Sequence, residues 1–205
     1  MTFQERYRSL VDAHQALLCR SNGVDPGWCN GVYERYVHPV ITAEHVPLHW
    51  RYDLDPETNP GLLERLGVNA AFNPGAMEWE GRVVLAVRVE GWDRKSFFAL
   101  AESASGIDGF RFRDTPLAIP DGEEPDVNVY DMRLVRHEDG WVYGIFCTER
   151  PDPASPPGDT SAALAQCGVV RSRDLRAWER LPDIRSRSPQ QRNVVLHPEF
   201  VAGRY

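Results

Sequence analysis

Asp131 is the residue least in keeping with its surroundings. It stands in NVYDMR (128–133), between Tyr130 and Met132, inside an apolar run of strand character. Strand interiors are depleted in Asp, and a carboxylate among apolar neighbours is costly unless paired. Alternation along a strand puts Arg133 on the same face two residues on, which makes it the expected partner. A structural Asp–Arg pair is the ordinary reading of such a motif. The chemical reading is a carboxyl group held for acid–base work.

Other polar groups sit where strands should end. RVEGWDRKSFFAL (88–100) packs Arg88, Glu90, Asp93, Arg94 and Lys95 between two apolar stretches. Read plainly, that is a solvated loop. Read chemically, it presents cations, and Arg94 could fork onto vicinal hydroxyls or a phosphate. Asn73 falls in NAAFNPGAM (69–77), where Asn-Pro-Gly is sufficient to specify a turn, although an amide also reads hydroxyls as donor and acceptor together. SPQQRNVVLHPEF (188–200) sets Gln190, Gln191, Arg192 and Asn193 before an apolar run, with His197 further along. A lone His there is more often a satisfied core residue than a ligand. His45 and His49 have metal-ligand spacing on a helix, but Pro47 between them forbids that helix. No metal site is expected. Walker, G-x-G-x-x-G and G-x-S-x-G motifs are absent, and HEDG (137–140) reads as a hairpin turn.

The elements that must position these groups are mostly strands. Phe3 to Leu18 is the one good helical stretch, with Tyr7, Leu10, Val11, Leu17 and Leu18 on one face. Gly23, Pro26, Gly27 and Gly31 end it. Strand patterns follow at 81–91, 127–135, 141–149 and 193–201. They form a loose repeat: EWEGRVVLAV, RHEDGWVYGIF and EFVAGRY each read as strand, Gly turn, strand. The turn glycines 81, 140 and 203 are spaced by 59 and 63 residues. AESASGIDGF (101–110) and VRSRDLRAW (170–178) follow the first two hairpins, each starting with Ser at a strand end and closing on an aromatic. Repeats of short strands mark propeller blades; a β-sandwich is the alternative. Long loops such as 149–161 account for a period above the roughly 40–45 residues of common blades. The chain stops just after the third hairpin turn, mid-blade, which suggests a fragment of a longer protein.

Composition narrows the classes. The 205 residues are 42% hydrophobic and 26% charged with a net charge of −7, a globular balance that suits one large domain or two small ones. The basic residues form no stripe, so a nucleic-acid partner is not expected. Neither a signal peptide nor a membrane span is legible. The four cysteines make no C-x-x-C pair. Cys147 and Cys167 read as buried thiols, a bridge between Cys19 and Cys29 stays open, and a reducing cytoplasm is the simplest setting.

Together the segments 35–60, 69–76, 89–103, 128–150 and 189–200 resemble glycoside hydrolase family 130, and within it the phosphorylases of mannosyl-glucose. The likeness covers almost the whole chain after residue 30. It implies an all-β, five-bladed β-propeller of which this chain is about the first half: a helix and loop over 1–30, then a partial catalytic propeller over 31–205. It implies inverting phosphorolysis of 4-O-β-D-mannosyl-D-glucose to α-D-mannose 1-phosphate and D-glucose. Asp131 matches the general acid, its proton passing through a mannose hydroxyl. Asn73, Arg94, Tyr130 and Asn193 match substrate-binding positions, and Arg192 matches a phosphate-binding one. The only partners implied are the disaccharide and phosphate, a co-substrate; no cofactor is needed, and a homo-oligomer is open. An inverting hydrolase requires a second carboxylate to activate water, whereas phosphate is already a nucleophile and requires cations. One strand-borne Asp among arginines fits phosphate better. A mannooligosaccharide phosphorylase, a β-mannoside hydrolase and an inactive sugar-binding fragment are the alternatives.

Overall fold

The computed structural model describes residues 1–156, 158–159, 163–188 and 190–205. Residues 157 and 160–161 of the expected 149–161 loop, and Pro189 at the head of the last matching segment, lie outside that set. Helix α1 runs Phe3–Leu18, the span its periodicity predicts. It starts on a capping box: the Glu5 N–H donates to Thr2 Oγ1 (3.3 Å) and the Thr2 N–H to Glu5 Oε2 (2.7 Å), satisfying donors the first turn cannot. Leu18 is buried, and Tyr7, Leu10, Val11 and Leu17 are half-buried on the same face. A 3-10 turn (Ala43–His45) and a single helical turn, α2 (Leu48–Arg51), follow. Pro47 caps α2 and so separates His45 from His49. Among the described residues no helix is long and apolar enough to cross a membrane, and none form a metal-ligand cluster.

Among the described residues the strands form two four-stranded antiparallel meanders with no crossover. The first is β1 (Val68–Trp79), β2 (Arg82–Gly91), β3 (Ser96–Ser103) and β4 (Arg111–Phe112). The second is β5 (Asn128–Arg136), β6 (Val142–Pro151), β7 (Ala163–Ser172) and β8 (Trp178–Ile184). Strict alternation buries both faces of the first sheet. Val84, Ala86, Phe98 and Leu100 pack onto Met132, Phe146 and Val170 of the second sheet. Leu85, Val87, Val89, Ala99 and Ala101 turn the other way, toward Ile41 and Val46. The second sheet is then covered on its far face by Val194 and Leu196, while Phe200 and Tyr205 close over His137. Asp139 ties that cover down. Burial alone would raise its carboxyl, but hydrogen bonds from the Trp141 N–H, Tyr143, Tyr205 and His137 hold it at about 2.

The turns repeat as their glycines predict. Glu80 (φ 50°) and Gly81 (φ 74°) join β1 to β2, and Ala202 (φ 53°) with Gly203 (φ 74°) close the Val201–Arg204 pair in the same way. Two positive φ values in sequence are the requirement of the hairpin turn that matches strand twist. Ser103 and Ser172, both fully buried, occupy like positions at the ends of β3 and β7. The Ser103 hydroxyl accepts from the Ser105 and Gly106 N–H groups. The Ser172 hydroxyl accepts from those of Asp174 and Leu175. Two expectations are corrected. Asn-Pro-Gly at 73–75 does not reverse the chain but lies inside β1. The run 193–201 carries strand composition without being a strand, because no described neighbour offers it a ladder.

All four cysteines are free, Cys19 and Cys29 exposed, Cys147 and Cys167 buried. The buried two face each other across β6 and β7. Burial pushes the Cys147 thiol up, and that of Cys167 to about 11. Thiolate is the reactive form, so an aromatic disulfide reagent at pH 8 should titrate two thiols rapidly and two only after denaturation. Four rapid thiols would contradict this burial.

Candidate active site

Asp131 and Asn73 meet because two strands are irregular in the same way. In β1 the ladder slips between the pairs Phe72–Arg88 and Gly75–Ala86, so Asn73 and Pro74 together oppose Val87. In β5 it slips between Tyr130–Cys147 and Arg133–Ile145, so Asp131 and Met132 together oppose Phe146. Each bulge bends its strand and re-aims one side chain. Each also places its first residue in the left-handed region, φ 45° at Asn73 and 57° at Asp131. Asn and Asp tolerate that conformation better than other non-glycine residues. The two side chains converge, with Asn73 Nδ2 donating to Asp131 Oδ1 at 3.2 Å.

The approach depends on Gly75, next along β1. A Cβ there would stand 2.3 Å from the Met132 carbonyl oxygen and 3.0 Å from Arg133 Cα and Leu134 N. The backbones of β1 and β5 are therefore in direct contact just past the paired bulges.

The partner of Asp131 is Arg88, not Arg133. Arg88 Nη1 donates to Asp131 Oδ1 at 3.3 Å, whereas Arg133 reaches only the Met132 carbonyl. The bulge breaks the alternation on which the Arg133 pairing rested. Arg88 is held on every side. Its Nε donates to Ser96 Oγ (2.9 Å) and its Nη2 to Glu90 Oε2 (2.8 Å). The rings of Phe72 and Tyr130, at like positions before the two bulges, lie 4.6 and 4.9 Å from the guanidinium carbon. Glu90 is buried, and its other oxygen takes Asn69 Nδ2 and Arg94 Nε, each at 3.2 Å.

Of the remaining expected residues, Arg94, Tyr130 and Arg192 can be related to this cluster. Arg94 is 79% exposed and joins it through Glu90 alone. Tyr130 is buried, and its hydroxyl donates to Glu149 Oε1 at 3.1 Å. Burial, the Cys147 contact and the Glu149 charge drive that hydroxyl upward, with Arg192 opposing. Tyr130 thus meets the site with its ring rather than a free hydroxyl. Arg192 is exposed and within electrostatic reach of Tyr130 and Cys147. Asn193 follows it, exposed, with φ 56°. Among the described residues eight non-glycine positions have positive φ, and four are Asn73, Arg94, Asp131 and Asn193. Such strain gathers where surroundings over-determine a geometry, commonly at functional sites.

Arg88 and Glu90 were visible in the sequence only as members of a charged stretch. An apolar strand that carries Arg-x-Glu on one face, against an isolated Asp elsewhere, was the available signal. Other arginines are already committed: Arg150 binds Asp126 and Asp183, and Arg180 binds the same two carboxylates. Two cavities of about 750 and 800 Å³ lie elsewhere and include none of Asn73, Arg88, Arg94 or Asp131. Asn73 and Arg94 are exposed, whereas the side chains of Asp131 and Arg88 are only 17% and 15% exposed.

No protein-family model matches the chain. A 4-O-β-D-mannosyl-D-glucose phosphorylase from Bacteroides fragilis is 57% identical over 204 residues, 99% of this chain and 52% of that protein. The chain thus spans about half the length of the curated relative it matches. A solved structure from the family of mannoside phosphorylases that includes hydrolases of β-1,2 mannosidic linkages in Candida mannan superposes with a TM-score of 0.50. That match covers 78% of this chain and 44% of the other at 22% identity, and it bears on the fold alone. A β-1,2-mannobiose phosphorylase from Listeria innocua aligns more loosely, with a TM-score of 0.45 over 67% of this chain and 52% of its own at 16% identity, and carries no weight here. At 57% identity sustained along essentially its whole length, the chain is similar to one half of a mannosyl-glucose phosphorylase.

Proposed function

We propose that this chain carries the proton donor and part of the sugar site of an inverting phosphorylase acting on 4-O-β-D-mannosyl-D-glucose. The observation that carries the reading is the convergence of Asp131, Asn73 and Arg88 at paired bulges, in a chain 57% identical to a phosphorylase of that specificity. A phosphate oxygen attacks the mannose anomeric carbon from the face opposite the leaving group. The bond to the glucose O4 breaks, and O4 takes the proton that Asp131 supplies through a mannose hydroxyl. The products are glucose and α-D-mannose 1-phosphate. Asn73, Arg94, Asn193 and the ring of Tyr130 hold the sugar, and Arg192 serves phosphate.

The two meanders are read as successive blades of a five-bladed propeller. Three features favour this over a sandwich. Among the described residues no strand crosses between the sheets. The bulges and turns recur at like positions. Residues 194–205 cover the second sheet on its far side, where the next blade would stand.

The test is glucose release from mannosyl-glucose with and without inorganic phosphate. It is run on the 205-residue chain and on the chain joined to the part of the B. fragilis relative that it leaves uncovered. The joined protein should release glucose and mannose 1-phosphate only when phosphate is present, and the chain alone far more slowly, because Arg192 by itself cannot replace a cluster of cations. Phosphate-independent release would replace this reading with a hydrolase. Mannoside binding without turnover in either protein would leave a sugar-binding module.

A further inference from the structure

Arg88 takes no part in the reaction as written, yet it is the most completely held side chain near Asp131. Its three donor nitrogens meet Ser96, Asp131 and Glu90, and the guanidinium carbon lies over two aromatic rings. Its side chain is 15% exposed and that of Glu90 7%. Glu90 meets the same guanidinium through a different nitrogen and shares its charge with Asp131. The second oxygen of Glu90 holds Arg94, so one buried carboxylate links the loop cation to the arginine behind the acid.

We propose that Arg88 and Glu90 are positioning residues for Asp131: Arg88 orients the carboxyl group, and Glu90 fixes Arg88, shares its charge and anchors Arg94. The proposal rests on the reading of Asp131 as the proton donor. The guanidinium is required as a fork, because a single-point ammonium cannot meet Asp131, Glu90 and Ser96 at once.

Arg88→Ala leaves a gap beside two aromatic rings and two carboxylates, which the free guanidinium ion can enter. In the turnover assay above, kcat should fall by about a hundredfold, the scale of a small misplacement of a reacting group, with KM for mannosyl-glucose changed much less. Millimolar guanidinium should restore kcat by about tenfold or more, and ammonium at equal concentration should not, following the difference between the two cations. Combining Arg88→Ala with Glu90→Gln should abolish the rescue. Arg88→Lys keeps the charge and guards against a failure to fold; it should lose kcat and ignore guanidinium. A purely structural arginine would show altered melting with no rescue of kcat. Guanidinium binding is also read directly in the 205-residue Arg88→Ala chain, as saturable NMR shifts of Phe72 and Tyr130. Absence of turnover in the wild type would sink the phosphorylase reading and leave this arm standing. A folded Arg88→Ala chain that neither binds guanidinium nor is rescued by it, or an Arg88→Lys enzyme with wild-type kcat, would overturn the positioning role.

Discussion

Asp131→Asn lowers phosphorolysis by the joined protein by about 10²–10⁴-fold, the usual contribution of a positioned acid or base, and leaves its melting temperature close to that of the wild type. The substitution isolates the proton. Asn has the same shape, and of the non-glycine residues it enters the left-handed region most readily, so the φ of 57° at this bulge is preserved. Its amide oxygen still accepts from Asn73 and Arg88, and Arg88 keeps Glu90 and Ser96. Lost are the negative charge toward Arg88 and the transferable proton. If kcat stays near the wild-type value, Asp131 is not the donor and the mechanism above falls with it.

Gly75→Ala has the largest expected effect on the fold. The added methyl would meet the Met132 carbonyl oxygen at 2.3 Å, with two further backbone atoms at 3.0 Å. Backbone cannot swing aside as the end of a side chain can, so β1 must withdraw from β5. Overpacking of this kind costs about 3 kcal/mol or more, which for a domain of this size lowers the melting temperature by about 6–12 °C. The same withdrawal separates Asn73 from Asp131, so mannoside binding should weaken together with stability. Gly23→Ala is the control: a Cβ there meets nothing within 4 Å and its φ is ordinary, so stability should change by less than about 1 kcal/mol. A Gly75→Ala chain that melts with the wild type would show that β1 and β5 are not in backbone contact, and the geometric account of the site would fail with it.

Local information sufficed for several features. Helix α1 was legible from an apolar stripe, because the 3.6-residue period acts within a few residues. Strands β2, β5 and β6 were legible from their side-chain types. The hairpins were legible from Gly81 and Gly140, since few other residues adopt positive φ at low cost. Asp131 stood out because an acid in an apolar strand demands a partner. Which partner it has was not legible. Arg88 lies 43 residues earlier in the chain, and nothing near Asp131 encodes a contact that exists only when β1, β2 and β5 are packed together. The local rule pointed to Arg133 and failed because one inserted residue reverses the alternation on which it depends. Asn73 was misread as a turn for a related reason: Asn-Pro-Gly suits a bulge as well as a reversal, and only the β2 ladder on one side and the β5 backbone on the other select the bulge. Local sequence marked Asp131 as a candidate acid and placed the hairpins at Gly81 and Gly140. The packed strands decided that two equivalent irregularities, brought together across a glycine, would place Asn73 and Arg88 each within hydrogen-bonding distance of Asp131, because a register slip becomes a direction in space only when a second strand is there to measure it against.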